Sequence, residues 1–120
     1  MDQRFSKILT KLGFEQRIET LFSLVMEDEL YSTSNKWEVF AYFEDGKYYF
    51  SDNGDMVEMF DAPDIDTLAL VEDIKVSIVK YGCRLDVSKI VKEIDLNNIE
   101  KDLENFILAI HCVDEIYKSL

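Results

Sequence analysis

The chain is poor in the residues that interrupt regular structure. Its 120 residues include four glycines and one proline, Pro63, and no stretch is rich in glycine or serine. Such a sequence offers no flexible linker between domains. Because 48% of the residues are hydrophobic, the chain can bury one sizeable core. We therefore expect a single domain that spans residues 1–120.

Residues that form disulfides or hold metals are also scarce. Cys83 and Cys112 are the only cysteines and lack CxxC spacing, so we expect reduced thiols, as in a cytoplasmic protein. His111 is the only histidine, which excludes a metal site with two or more histidines. Its simplest role is a packed or surface position on the last helix. The sequence predicts no cofactor.

Long apolar runs and catalytic motifs are missing as well. The apolar run at residues 106–110 is among the longest and is too short to cross a bilayer, and the first residues lack a signal-peptide pattern. No phosphate-binding loop, dinucleotide-binding turn, nucleophile elbow or zinc-ligand spacing occurs. We expect a non-enzymatic protein in the cytoplasm.

Acidic residues, in contrast, are in excess. The chain has 25 Asp and Glu against 13 Lys and Arg, a net charge of −12. Fourteen of these acids lie between Glu27 and Asp73, together with only two lysines, Lys36 and Lys47. This charge repels nucleic acids and anionic membranes and attracts a basic protein surface. We expect no direct contact with nucleic acid or membrane.

Helical periodicity dominates the N-terminal quarter. Phe5, Ile8, Leu9 and Leu12 predict an amphipathic helix over residues 2–12 that Gly13 ends. The same spacing continues through residues 14–26 and favours a second helix. A strand around residues 21–26 is the alternative.

The C-terminal half carries two further helical patterns. Apolar spacing predicts one helix over residues 65–81, with Asp64 or Asp66 as its N-cap, and a long helix marked by apolar residues from Leu96 to Tyr117. Between them, residues 83–95 fit either a short hairpin or a helical turn.

Two turn dipeptides, Asp45-Gly46 and Asn53-Gly54, predict a three-stranded antiparallel meander. In its register Tyr42 faces Tyr49 and Phe50 faces Val57. The apolar face, which we expect toward the core, consists of Trp37, Val39, Ala41, Phe43, Tyr48, Phe50, Val57 and Met59. The mixed outer face consists of Glu38, Phe40, Tyr42, Glu44, Lys47, Tyr49, Ser51, Met56 and Glu58. The predicted fold is α+β: N-terminal helices, this meander, and two C-terminal helices packed on one face of the sheet.

The stretch Tyr49-Phe50-Ser51-Asp52-Asn53-Gly54, followed by Tyr81-Gly82, Leu85-Asp86 and the C-terminal apolar helix, resembles a known family. That family comprises small proteins from low-GC Gram-positive bacteria and their phages and is catalogued as a domain of unknown function. The shared feature is a strand that runs into a Ser/Thr-Asp-x-Gly turn, and the resemblance covers residues 36–119. It implies no activity, but the phage members suggest counter-defence, such as an anti-CRISPR or anti-nuclease role.

Two acidic clusters are candidate metal sites. Asp52-Asn53-Gly54-Asp55 resembles the start of a calcium-binding loop, but Pro63 stands where the closing Glu is required. The cluster Asp61, Asp64 and Asp66 could bind the metal ion of a metal-dependent hydrolase, but helix capping explains it more simply. We predict no metal site.

The acidic segment leads to two interpretations of function. In the first, carboxylates on alternate strand positions, about 7 Å apart, imitate phosphates. The protein is then an inhibitor or decoy that occupies a basic nucleic-acid-binding surface of another protein, such as a host effector. In the second it is a small acidic adaptor or secretion-type chaperone that binds a partner segment, as a monomer or homodimer. The residues expected at the partner surface are Glu38, Tyr42, Glu44, Asp45, Tyr49, Asp52, Asp55, Glu58, Asp61 and Asp64.

Overall fold

The computed structural model describes residues 1–30, 36–58 and 67–119. These residues form a six-stranded antiparallel sheet with helices, so the predicted α+β class is confirmed. The helices are α1 (Gln3–Lys11), α2 (Asp55–Glu58), α3 (Thr67–Val79) and α4 (Ile99–Lys118). The strands are β1 (Glu15–Ile18), β2 (Leu21–Glu29), β3 (Lys36–Glu44), β4 (Lys47–Ser51), β5 (Cys83–Asp86) and β6 (Lys89–Glu93), in the spatial order β1-β2-β3-β4-β6-β5.

Helix α1 confirms the first predicted helix. The Asp2 carboxylate accepts a hydrogen bond from the Arg4 backbone N–H at 2.8 Å and caps the N-terminus. At the other end, Gly13 has φ +99°, and the N–H of Phe14 donates to the Leu9 carbonyl at 3.0 Å. This is the Schellman arrangement, which needs a left-handed residue and therefore favours glycine.

The second predicted helix, over residues 14–26, is wrong, and the strand alternative is correct. Strand β2 pairs with β3 in antiparallel register, with Phe22 facing Ala41 and Leu24 facing Val39. Phe22 is fully buried, whereas Val25 is exposed on the other face. The apolar residues satisfy a helical period and a two-residue period alike. Pairing with the edge of β3 selects the strand.

The β3–β4 hairpin has the predicted register. Tyr42 faces Tyr49, Phe43 faces Tyr48 and Glu44 faces Lys47. Asp45 and Gly46 have φ of 51° and 78°, as a two-residue hairpin turn of this type requires. The residues of this hairpin that were predicted to face the core are buried or half-buried.

The third strand of the meander is wrong. Residues Asp55–Glu58 are helical, and the neighbour of β4 is β6, with Phe50 facing Lys92 instead of Val57. Met56, predicted on the wet face, is instead buried at 1% exposure. Met59 lies outside the described residues. The predicted meander is therefore two strands of a larger sheet.

Strands β5 and β6 decide the alternative left open for residues 83–95 in favour of a hairpin, with Arg84 facing Val91. Of the predicted helix over 65–81, α3 covers Thr67–Val79. The proposed caps Asp64 and Asp66 lie outside the described residues. Helix α4 confirms the last predicted helix.

The helices build the core against one face of the sheet. From α1, the ring of Phe5 lies 5.7 Å from that of Phe22, centroid to centroid. From α4, Phe106 lies 6.0 Å from Phe50 of β4. Both contacts involve strand residues of the same face, and buried residues of all four helices belong to the core on that side. Within the described ranges, no helix combines the length and apolar character needed to span a membrane.

Candidate protein-binding face

We call the sheet surface opposite the helices the open face. Its members follow from the strand pairing, since residues directly opposite one another point to the same side. They include Leu21, Ser23, Val25, Glu38, Phe40, Tyr42, Glu44, Lys47, Tyr49, Ser51, Val91, Glu93, Arg84, Asp86 and Lys89. Ser23, Ser51 and Val91 lie on this side of the sheet but are buried. Aromatic side chains lie at its centre.

The aromatic centre is a cross-strand tyrosine pair. The rings of Tyr42 and Tyr49 lie 5.4 Å apart, centroid to centroid, and are inclined by 30°. The guanidinium carbon of Arg84 lies 5.8 Å from the Tyr49 centroid, within cation–π distance. The ring of Tyr49 is therefore already in contact with a cation of its own chain, the Arg84 guanidinium. Tyr42 is half-buried, and no cation is stacked on it among the described residues.

Electrostatics single out Tyr42 within this pair. Partial burial raises the pKa of its hydroxyl above the ordinary value, and the negative charges of Glu44 and Asp86 raise it further. The positive charge of Arg84 lowers the same pKa and does not reverse the shift. Glu44 and Asp86 thus place negative charge near the Tyr42 ring, which favours a cation over it.

A cavity of about 380 Å³ opens beside Tyr42. It is lined by Thr20, Leu21, Phe40, Tyr42, Phe43, Glu44, Ser51, Asn53 and Lys89. Three apolar side chains supply much of the wall, while hydroxyl and amide groups offer hydrogen bonds. This combination suits an apolar side chain together with the polar backbone that carries it.

The charges of the open face are mixed. Lys47 Nζ lies 3.3 Å from a carboxylate oxygen of Glu93, and Arg17 lies 3.5 Å from that of Glu15. Arg17 also donates from Nε to the hydroxyl of Ser23 at 2.7 Å and covers it. Basic residues from the flanking strands therefore interrupt the carboxylates. Among the described residues, no continuous row of negative charge at phosphate spacing forms on this face.

Nine of the ten predicted site residues separate into three groups. Glu38, Tyr42, Glu44 and Tyr49 lie together on the open face, and Asp45 lies at the turn beside it. Asp55 and Glu58 are the end residues of α2, which follows β4. Asp61 and Asp64 lie outside the described residues.

Asp52 is the predicted site residue that the fold withdraws from the surface. It is 2% exposed, and its carboxylate accepts hydrogen bonds from the backbone N–H groups of Gly54 at 2.9 Å, Ile90 at 3.0 Å and Met56 at 3.1 Å. Burial raises the pKa of Asp52 above its ordinary value, and the three hydrogen bonds oppose that shift. Its contacts are internal, so it cannot meet a partner.

Sequence reasoning missed Leu21, Arg84, Asp86 and Lys89 as members of this surface. The spacing around Leu21 favours a helix, and the other three residues belong to a segment for which a hairpin is one of two alternatives. The available signal was the alternation in Arg84-Leu85-Asp86, which puts both charged residues on one side of a strand.

The remaining reactive side chains serve the fold. Burial raises the pKa of the Cys83 thiol to about 11, which makes it a poor nucleophile. The Lys92 ammonium beside it donates to the Tyr81 carbonyl at 3.0 Å and lies 3.7 Å from the Asp102 carboxylate. The side chains of Cys83, Lys92 and Asp102 are thus mostly buried, and their contacts are internal to the fold.

His111 occupies a half-exposed position on α4. Its Nε2 lies 2.7 Å from the Asp28 carboxylate, and its ring meets that of Trp37 edge to face at 6.1 Å. Over residues 1–30, 36–58 and 67–119, no group of three or more potential ligands could hold a metal ion.

No protein-family model, curated protein or solved structure matches the chain. The candidate face therefore rests on its own geometry.

Proposed function

We propose that this protein is a non-enzymatic protein-binding domain whose open face receives a basic segment of another protein. The observation that carries the proposal is the Tyr42–Tyr49 ring pair, in which Tyr49 stacks with Arg84 while Tyr42 has the acids Glu44 and Asp86 near it. An arginine or lysine of the partner would occupy the equivalent place over Tyr42, between Glu44 and Asp86.

The cavity supplies the second half of the recognition. Tyr42 and Glu44 border both the cation position and the cavity, so the two are adjacent. A partner with a basic residue close to a leucine or an aromatic residue would fill both. The net charge of −12 would steer such a segment toward the domain at low ionic strength.

A nucleic-acid decoy is the second candidate, and the acidic turn favours it. Glu44 and Asp45 are exposed neighbours at the tip of the β3–β4 hairpin. Both belong to the acid-rich segment between Glu27 and Asp73. The interleaved bases on the open face favour recognition of a peptide segment over phosphate imitation. We therefore rank the adaptor role first and phage counter-defence by a decoy second.

Selection from a library of randomised peptides on the immobilised protein tests the first candidate. We expect basic peptides with an adjacent apolar residue, whose binding weakens as salt is raised. On adding a selected peptide, amide resonances of Leu21, Tyr42 and Tyr49 should shift. Failure to select any peptide, or shifts confined to the helices, would rule the proposal out.

A matched pair of double variants locates the binding charge. Glu44→Gln with Asp86→Asn removes two negative charges beside Tyr42 and should weaken a selected peptide about tenfold. Glu104→Gln with Glu115→Gln removes two from α4 and should change the affinity less than about twofold. Equal effects would show only general attraction by net charge.

The decoy is tested by competition. Labelled duplex DNA is bound to each member of a panel of basic nucleases and DNA-binding proteins, and the domain is then added at low salt. The decoy would be favoured over the adaptor if the parent domain releases the DNA and the double variant Asp45→Asn with Glu44→Gln does not. Retention of DNA by every panel member would exclude decoy activity against those proteins.

A further inference from the structure

Helix α3 presents apolar side chains in two opposite directions. Leu70, Ile74 and Ile78 recur every four residues and are buried against the core. On the other side, Leu68, Val76 and Val79 are 82%, 75% and 65% exposed. A surface helix normally has one apolar stripe and a polar face opposite it. Within the described residues of the monomer, nothing explains the outer apolar stripe of α3.

The charges along this stripe are balanced. Glu72 and Lys75 lie within it and form an ion pair of 3.5 Å, and both are at least half exposed. Asp73 and Lys80 flank it, so the exposed helix carries two acids and two bases. Two copies of a chain with net charge −12 repel each other over most of their surface. At α3 that repulsion is locally cancelled.

The stripe is also complementary to itself. When two α3 helices pack antiparallel about a two-fold axis between Asp73 and Ile74, Leu68 of one copy faces Val79 of the other. In the same register Glu72 faces Lys75 of the second copy. A two-fold interface requires that one patch match itself in this reversed sense. Here the apolar and the charged positions both match.

We propose that α3 is a homodimer interface, in which a second copy of this chain covers Leu68, Val76 and Val79. The proposal is independent of the open face, which lies on the other side of the sheet from the core helices. Three side chains make a small apolar contact, so the dimer is weak, with a dissociation constant on the order of tens of micromolar. It would double the number of open faces in one assembly.

Sedimentation of the full chain between about 5 and 500 µM tests the proposal, a range that brackets the affinity of small interfaces. We expect a concentration-dependent shift from monomer to dimer. Val76→Glu should abolish it, because the charge is introduced beside the axis of the dimer. Val87→Glu is the matched control, since Val87 is 93% exposed in the β5–β6 turn, outside the stripe. It should dimerise as the parent does.

Charge exchange gives a sharper result. Glu72→Lys sets like charges against each other in the dimer and should raise the dissociation constant at least about tenfold, as should Lys75→Glu. The double variant Glu72→Lys with Lys75→Glu restores opposite charges between copies and should recover dimerisation. Unchanged circular dichroism would confirm that every variant folds. A monomer throughout the concentration range, a dimer indifferent to Val76→Glu, or no recovery in the double variant would overturn the proposal.

Discussion

Asp52 and Ile90, which lie 38 positions apart in the sequence, are joined by two hydrogen bonds. The Asp52 carboxylate accepts from the Ile90 N–H at 3.0 Å, and the Asp52 N–H donates to the Ile90 carbonyl at 3.3 Å. The same carboxylate binds the N–H of Met56 at the start of α2. One side chain thus fastens the end of β4 to β6 and turns the following residues into a helix.

We expect Asp52→Ala to destabilise the fold by about 3 kcal/mol or more, because three buried N–H groups lose their acceptor. Asp52→Asn should cost less, since the amide oxygen still accepts, but its NH₂ group faces an N–H donor. Chemical denaturation measures both. Asp45→Asn, the same substitution at an exposed turn residue, should change stability by less than about 0.5 kcal/mol. A similar effect of the two Asn variants would contradict the role of Asp52.

Lys92 joins β6 to the end of α3 and to α4. Lys92→Met removes the donor to the Tyr81 carbonyl and the partner of Asp102, so we expect a loss of about 2 kcal/mol in the free energy of unfolding. Lys89→Met is the same substitution on the same strand at an exposed position, and it should cost less than about 0.5 kcal/mol. Equal costs would mean that the ammonium of Lys92 contributes nothing specific.

Gly82 leaves room for that ammonium. Its φ is +76°, and a Cβ built there would lie 2.5 Å from Lys92 Nζ. Gly82→Ala should therefore destabilise the protein by about 1–2 kcal/mol from backbone strain, with a further cost for displacing Lys92. Thermal unfolding of Gly82→Ala is compared with that of Gly46→Ala. Gly46 is the control, because it also has a positive φ but has open space around it. Gly82→Ala should unfold at the lower temperature.

Cys83 should react slowly while the protein is folded. A pKa raised from 9.0 to about 11 lowers the thiolate fraction about 100-fold at neutral pH, and burial restricts access further. In the variant Cys112→Ser, Cys83 is the only thiol. Its reaction with a thiol reagent should be at least about 100-fold slower in the folded protein than in denaturant. A ratio below about ten would contradict the buried environment of this thiol.

Alkaline pH should destabilise the protein through the same group. The pKa of Cys83 is higher in the folded chain, so folding favours the neutral thiol. The resulting stabilisation is present below the unfolded pKa of 9.0 and is lost as pH rises toward about 11. In Cys83→Ala the fall in stability over this window should be smaller than in the parent chain.

The tyrosine hydroxyls provide an independent test of the field on the open face. With labelled tyrosine, NMR should show that Tyr42 ionises above the ordinary pKa, as burial and the charges of Glu44 and Asp86 require. Replacing these two acids by Gln and Asn should lower that pKa without bringing it to the ordinary value, because burial remains. Since folding favours the neutral hydroxyl, its contribution to stability is lost as pH rises through the folded pKa.

The sequence by itself determined the elements whose signals are local. The cap at Asp2, the left-handed stop at Gly13, the Asp45-Gly46 turn and the long apolar stripe of α4 all depend on neighbours within a few residues. The hairpin register followed from the turn, so the pairing of Tyr42 with Tyr49 was predictable, and with it the aromatic centre of the candidate face.

Only the tertiary structure decided which strands lie side by side. Residues 21–26 satisfy helical and strand periods equally, and the edge of β3 selects the strand. Asn53-Gly54 has the positive φ values of a hairpin turn, 59° and 88°, yet it leads into a helix because β6 occupies the place beside β4. The contacts of Asp52 with Ile90 and of Tyr49 with Arg84 come from that placement. Long-range pairing depends on the total burial of both partners, which no local pattern encodes.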